Sequence, residues 1–176
     1  MKLMLRILLL CSFLAYLPIH ADCSQGLCNS DRIKLDLPDY AWKCAFRQTA
    51  PNGQSIVEII PINQTLDNRS EMITIQFHPK SWASSAVEFV NALYVQESQI
   101  YRDMQWNVLK QSDNDVIYEW ILPNGYKNYP PQHEIVRIIW TTQWLHRIAY
   151  EKKTKALDMQ TKTLWLNRIE TAQLLH

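Results

Sequence analysis

The spacing of apolar and polar positions divides most of the chain into short strands. Ile73, Ile75 and Phe77 alternate with Thr74, Gln76 and His78, the pattern of a strand with one buried face. Pro79 ends that strand and the period changes. Trp82, Ala86, Phe89, Val90, Leu93, Ile100 and Tyr101 then recur at helical spacing, with Ser81 or Ser85 placed to cap the helix and Glu88 following Ser85 as in a capping box. Ahead of this element, Trp42, Cys44 and Phe46 alternate with Lys43 and Arg47 on one predicted strand. Pro51-Asn52-Gly53 then turns the chain into a hairpin partner over residues 55–60. Behind it, residues 105–110 and 115–122 form a second hairpin through Ser112-Asp113-Asn114, and residues 133–141 and 144–152 a third through Thr142-Gln143. Residues 158–175 read as a last helix, capped by Asp158 or Thr161, with Leu164, Trp165, Ile169 and Ala172 near one face. The expected fold is α+β: an antiparallel sheet of about six to seven strands packed with a long central helix and a C-terminal helix.

The N-terminus adds a compartment. Lys2 and Arg6 flank an apolar run, Ile7 to Leu17, that is too short to span a bilayer, and Ile19-His20-Ala21 follows it. A signal peptide over residues 1–21, cleaved after Ala21, is therefore expected. A polar N-terminal arm over 22–40 and a single domain over 41–176 come after it. Acylation at Cys23 would need small residues where His20 and Asp22 stand. No later run is apolar and long enough for a transmembrane helix, so the expected location is periplasmic or secreted. Cleavage removes Lys2 and Arg6 and no acid, taking the formal charge from +1 to 1 − 2 = −1. That balance argues against an electrostatic nucleic-acid binder. The chain has only three glycines, Gly26, Gly53 and Gly125, none near another, which argues against phosphate-cradling and dinucleotide-binding loops.

Cys23, Cys28 and Cys44 remain after cleavage. In an oxidising compartment two should pair. Cys23–Cys28 would close a small loop; Cys28–Cys44, which would tie the arm to the first strand, is the favoured pairing. There is no C-x-x-C, and no metal or other cofactor is expected. Possible acid–base residues are His78, His133, His146 and His176, with Glu71, Glu119, Glu134 and Glu151 as partners, but no spacing fixes a pair. His133 and Glu134 are strand neighbours and point to opposite faces. Ser81, Ser84 and Ser85 lack a G-x-S-x-G elbow. The expectation is a non-catalytic protein. Of the seven tryptophans, Trp42, Trp82, Trp106, Trp120 and Trp165 fall on predicted apolar faces. The loop PNGYKNYPPQ over 123–132 offers Tyr126, Lys127 and Tyr129 as a partner-binding surface, with Trp140 and Trp144 flanking the last turn as an extension of it.

The order of elements over Trp42 to Leu175, with E-M-I-T-I-Q-F running into the long helix, resembles the PsbP-like fold. That fold is the α/β/α sandwich of a photosystem extrinsic subunit, also used by a Ran-binding protein. The resemblance implies docking and assembly and supplies no catalytic residues. An export signal on so small a domain is also similar to envelope and secreted proteins of intracellular Gram-negative bacteria, including accessory subunits of secretion machines. The expected partner is another envelope or secreted protein; the alternative is a secreted small-ligand-binding protein or a small hydrolase with its site between sheet and helix.

Overall fold

The computed structural model describes residues 32–37, 41–79 and 83–175. The expected signal peptide, Cys23, Cys28, Ser81, Trp82 and His176 lie outside them. The described chain starts with β1 (Ile33–Lys34) and continues into β2 (Trp42–Thr49), β3 (Ser55–Pro61) and β4 (Glu71–Pro79). After the helix α1 (Ala86–Ile100) come β5 (Gln105–Ser112), β6 (Asp115–Leu122), β7 (Gln132–Trp140) and β8 (Trp144–Lys152). A second helix, α2 (Met159–Thr171), leads into β9 (Gln173–Leu174). β2 to β8 form one seven-stranded sheet in the order β2-β3-β4-β8-β7-β6-β5. Every neighbouring pair is antiparallel. The three expected hairpins are all present, and β4 joins the first to the third by pairing with β8.

Each helix covers a different face. Ser85 Oγ accepts from the Glu88 N–H at 3.1 Å and starts α1, while the Glu88 carboxylate takes the backbone N–H of Ser84 at 2.7 Å and its hydroxyl at 2.6 Å. The capping box is thus shared between two serines. α1 buries Ala86, Phe89 and Val90 against Val116, Tyr118, Val136 and Ile138. It lies over β5, β6 and β7, at one side of the sheet rather than its centre. Ile100, expected in the apolar stripe, is exposed, and Tyr101 at the C-cap is buried in its place.

On the other face Asp158 Oδ1 accepts from the Thr161 N–H at 2.8 Å to start α2, which buries Trp165 and Ile169 among Ile117, Ile135, Ile148 and Tyr150. Trp165 stacks on Tyr150 with ring centroids 4.0 Å apart and meets Trp42 edge-on at 5.4 Å. Leu164 faces outward. The helix stops at Thr171, short of the expected 175, because Gln173 and Leu174 turn to pair with Lys34 and Ile33. Ile33 and Leu35 are buried in this core, so the end of the polar arm forms part of its wall.

One expected face needs correcting. Trp42 and Cys44 pack on the α2 side, but a bulge between Cys44 and Phe46 shifts the register, and Phe46 then pairs with Glu58. Paired residues share a face. Phe46 therefore lies on the α1 side.

Candidate functional site

α1 lies over β5, β6 and β7, and a cleft of about 610 Å³ on the same face extends from beneath its edge across residues of β3, β4 and β8. Register places its floor. Across the sheet run Glu58, Thr74, Ala149, Val136 and Tyr118; beside them run Gln76 and Arg147, and Met72, Glu151, Glu134, Trp120 and Trp106. Phe89, Leu93, Gln96 and Glu97 of α1 form one wall. The loops 62–70 and 123–131, both at the end of the sheet where β4 begins and β8 ends, supply the others through Arg69 and Tyr129.

The floor is charged, and most of the charge is matched. Arg147 Nη2 donates to Glu134 Oε1 at 2.6 Å and Nη1 to Gln76 Oε1 at 3.3 Å, while Trp120 Nε1 donates to the other oxygen of Glu134. Burial works against the Arg147 charge, but Glu134 and Tyr118 more than offset it, and its pKa is raised. Burial raises the Tyr118 hydroxyl pKa. Arg69 lies 3.7 Å from Glu151 and donates to the Leu66 carbonyl at 2.6 Å. Lys153 at the edge has its pKa lowered by burial and by Arg69. Glu58 differs from its neighbours: it is 8 % exposed, and among the described residues nothing hydrogen-bonds or ion-pairs with its carboxyl. Burial raises its pKa, the Arg69 field partly offsetting this and Glu151 adding to it.

The loop 123–131 is built tightly. Tyr126 and Tyr129 exchange backbone hydrogen bonds at 3.1 and 2.9 Å, and Tyr126 meets Tyr101 edge-on at 4.9 Å. Gly125 sits at φ +69°, where a Cβ would run into the Tyr129 carbonyl oxygen. Gly125→Ala is expected to lose roughly 2–3 kcal/mol from a left-handed backbone and a close approach that an alanine does not fit. Chemical denaturation measures that loss. A shift in Tyr129 resonances larger than those elsewhere would place the damage at the cleft wall.

Of the partner-binding residues expected from sequence, only Tyr129 lines the cleft. Tyr126 is half-buried, and the exposed Lys127, at φ +55°, lies over the Tyr126 ring at 5.1 Å. Trp140 and Trp144 do not extend this surface. They flank the β7–β8 turn at the opposite end of the strands, where Trp140 is buried against the α1 core. Trp144 is half-buried beneath Gly53, whose Cβ position is 2.7 Å from the indole, and beneath the Arg32 guanidinium at 4.2 Å from its ring. The Cys44 thiol donates to the Phe46 carbonyl at 3.6 Å; its expected partner Cys28 lies outside the described residues.

The structure does bring one histidine and one carboxylate together that the sequence left unpaired. His133 Nε2 lies 2.9 Å from Glu119 Oε2, on the α2 face, and Lys162 Nζ is 2.8 Å from the same carboxylate. His133 Nδ1 accepts the Leu157 N–H at 3.0 Å, so Nε2 carries the proton and donates it to Glu119. Both ring nitrogens are engaged, burial lowers the His133 pKa, and no face of the imidazole is left for a substrate. This pair anchors the start of α2 to the sheet. Among the described residues, no group of three His, Cys, Asp or Glu gathers as metal ligands, and no helix is long and apolar enough to cross a membrane.

Compared with known protein families, with curated proteins and with solved structures, the chain shows no match. The functional reading therefore rests on the cleft.

Proposed function

We propose that this chain is an exported, non-catalytic binding module that engages another envelope or secreted protein through the α1 side of its sheet, a protruding group of the partner entering the cleft. The observation that carries the reading is the cleft itself, concave and floored by buried charged side chains of which the Glu58 carboxyl is left without a partner. Tyr94 of α1, packed on Trp106, and Val108 of the outer strand β5, paired with Tyr118, are each 46 % exposed next to these lining residues and add apolar contact area of the kind partners cover. The layering of helix, sheet and helix supports keeping the PsbP-like resemblance, with its implied docking role, as part of this proposal.

A small-ligand carrier is the second reading, favoured by a volume within the range of small-molecule sites. A hydrolase is less well supported: Glu134 and Glu151, the carboxylates beside Glu58, are each turned to an arginine. Photocrosslinkers at Tyr129 and Val108, in protein expressed in its own host, test the main reading. A discrete protein adduct from both positions is expected. Adducts from neither, with a small molecule retained in native mass spectra, would replace it with the carrier reading.

A further inference from the structure

We infer that the cleft recognises an alkylammonium group, the side chain of a lysine or a free aliphatic amine, with Glu58 as its anionic anchor. This deepens the binding reading above and rests on it.

The first ground is the unmatched carboxyl. Glu58 stands in the middle of β3, in S-I-V-E-I-I-P, with Val57 and Ile59 packed on the opposite face. Its cross-strand partner on β4 is Thr74, and its neighbour on β2 is Phe46. Neither brings a positive charge. Arg69 is close enough to influence Glu58 but is turned to Glu151 and the Leu66 carbonyl. A buried carboxyl without a partner is unfavourable in the folded protein unless something arrives to meet it.

The second ground is the balance of charge. The lining carries Glu58, Asp67, Glu97, Glu134 and Glu151 against Arg69, Arg147 and Lys153, which is 3 − 5 = −2 with all groups ionised. Arg147 is held by Glu134, so its charge is not offered to an anion. The third ground is the company Glu58 keeps. Phe89, Trp106, Tyr118, Trp120 and Tyr129 line the same space, and aromatic rings beside a carboxylate suit a cation on an aliphatic stem: the rings take the methylenes and the ammonium, and the carboxylate fixes its end. A carboxylate-bearing ligand would meet the unpaired Glu58 instead.

The test titrates the full mature protein with spermidine and with the tripeptides Gly-Lys-Gly and Gly-Glu-Gly, both N-acetylated and C-amidated so that the side chain carries the only charge, following Trp and Tyr resonances of the cleft. Both amines are expected to bind saturably and Gly-Glu-Gly not to. Glu58→Gln, which keeps the shape, should weaken amine binding at least tenfold, and Glu58→Asp should keep part of it. Glu58→Gln should also raise the unfolding temperature, so lost affinity cannot be put down to lost fold. Tighter spermidine binding would make a free amine the ligand, tighter Gly-Lys-Gly a partner's lysine; either supports the inference. Equal binding of Gly-Glu-Gly, amine affinity untouched by Glu58→Gln, or no amine binding overturns it. In the Gly-Glu-Gly case the cleft remains a binding site; partner adducts formed away from Tyr129 and Val108 would remove the cleft reading itself.

Discussion

Lowering the pH from 7 to about 4 is expected to destabilise the fold by several kcal/mol. His78 and His146 are buried, on the α1 and α2 faces of adjacent strands, and each has its pKa lowered from 6.5 to about 4. Burial is the main cause at both, reinforced by Arg147 at His78 and by Arg32 at His146. The unfolded chain takes up a proton on each imidazole as the pH falls through 6.5, whereas the folded protein does so only near 4. The contribution is therefore fully present above the unfolded value and is lost within that window. At about 1.4 kcal/mol per pH unit the loss is roughly 3 kcal/mol for each histidine. The two together come to about 6 kcal/mol, which is comparable to the lower end of the stability of a typical domain, on the order of 5–15 kcal/mol. Glu58 acts in the other direction: its raised pKa means the folded state gains on protonation as the pH falls through it. Glu119, lowered on balance because Lys162, His133 and Asn107 outweigh burial, adds to the loss at the acid end. Urea midpoints measured from pH 7 to 4 should fall steeply in the wild type. His78→Gln with His146→Gln should flatten that fall whatever it does to the neutral value. A flat wild-type profile would mean that both imidazoles take up protons in the folded protein as readily as in the unfolded chain.

The hairpins were legible in the sequence because each is local: Pro51-Asn52-Gly53 and Ser112-Asp113-Asn114 carry the turn chemistry themselves, and the flanking alternation supplies the strands. The start of α1 was legible for the same reason, through Ser85 and Glu88. What was missed is non-local. Nothing near Ile33 announces that it pairs with Leu174, and nothing near Cys44 announces the bulge that turns Phe46 to the other face. The cleft was missed through a reasonable assumption, that Thr74, Gln76 and His78 face water because they alternate with Ile73, Ile75 and Phe77. All three are buried, although α1 lies over β5 to β7 and not over β4, and Thr74 and Gln76 form part of the cleft floor. The available signal was Glu58, the one charged residue in S-I-V-E-I-I-P, and Glu134, the one acid in Q-H-E-I-V-R-I-I-W, since a buried polar group is more informative than another isoleucine. Which strands would bring them together depends on the β4–β8 pairing, and that is written in no single stretch of chain.

Arg147→Met is expected to destabilise the protein by about 3–5 kcal/mol, the range for removing one partner of a buried ion pair. The arginine and Glu134 are nearly enclosed, with side chains 14 % and 8 % exposed. Removing the guanidinium leaves the carboxylate with only the Trp120 N–H, and Gln76 and Tyr118 each lose a partner. The size of that loss does not show that the pair stabilises the fold, because much of it is the penalty on the carboxylate left behind. Arg147→Met combined with Glu134→Met separates the two. Chemical denaturation of the double variant should recover most of the single loss, since two apolar side chains of similar length fill the space without any charge to solvate. Should the double variant stay as unstable as Arg147→Met, the guanidinium matters through Gln76 and Tyr118, and the pair is structural. If the double variant is stable but no longer takes its ligand, the charged floor is retained for binding at the expense of stability, as the unpartnered Glu58 beside it already implies.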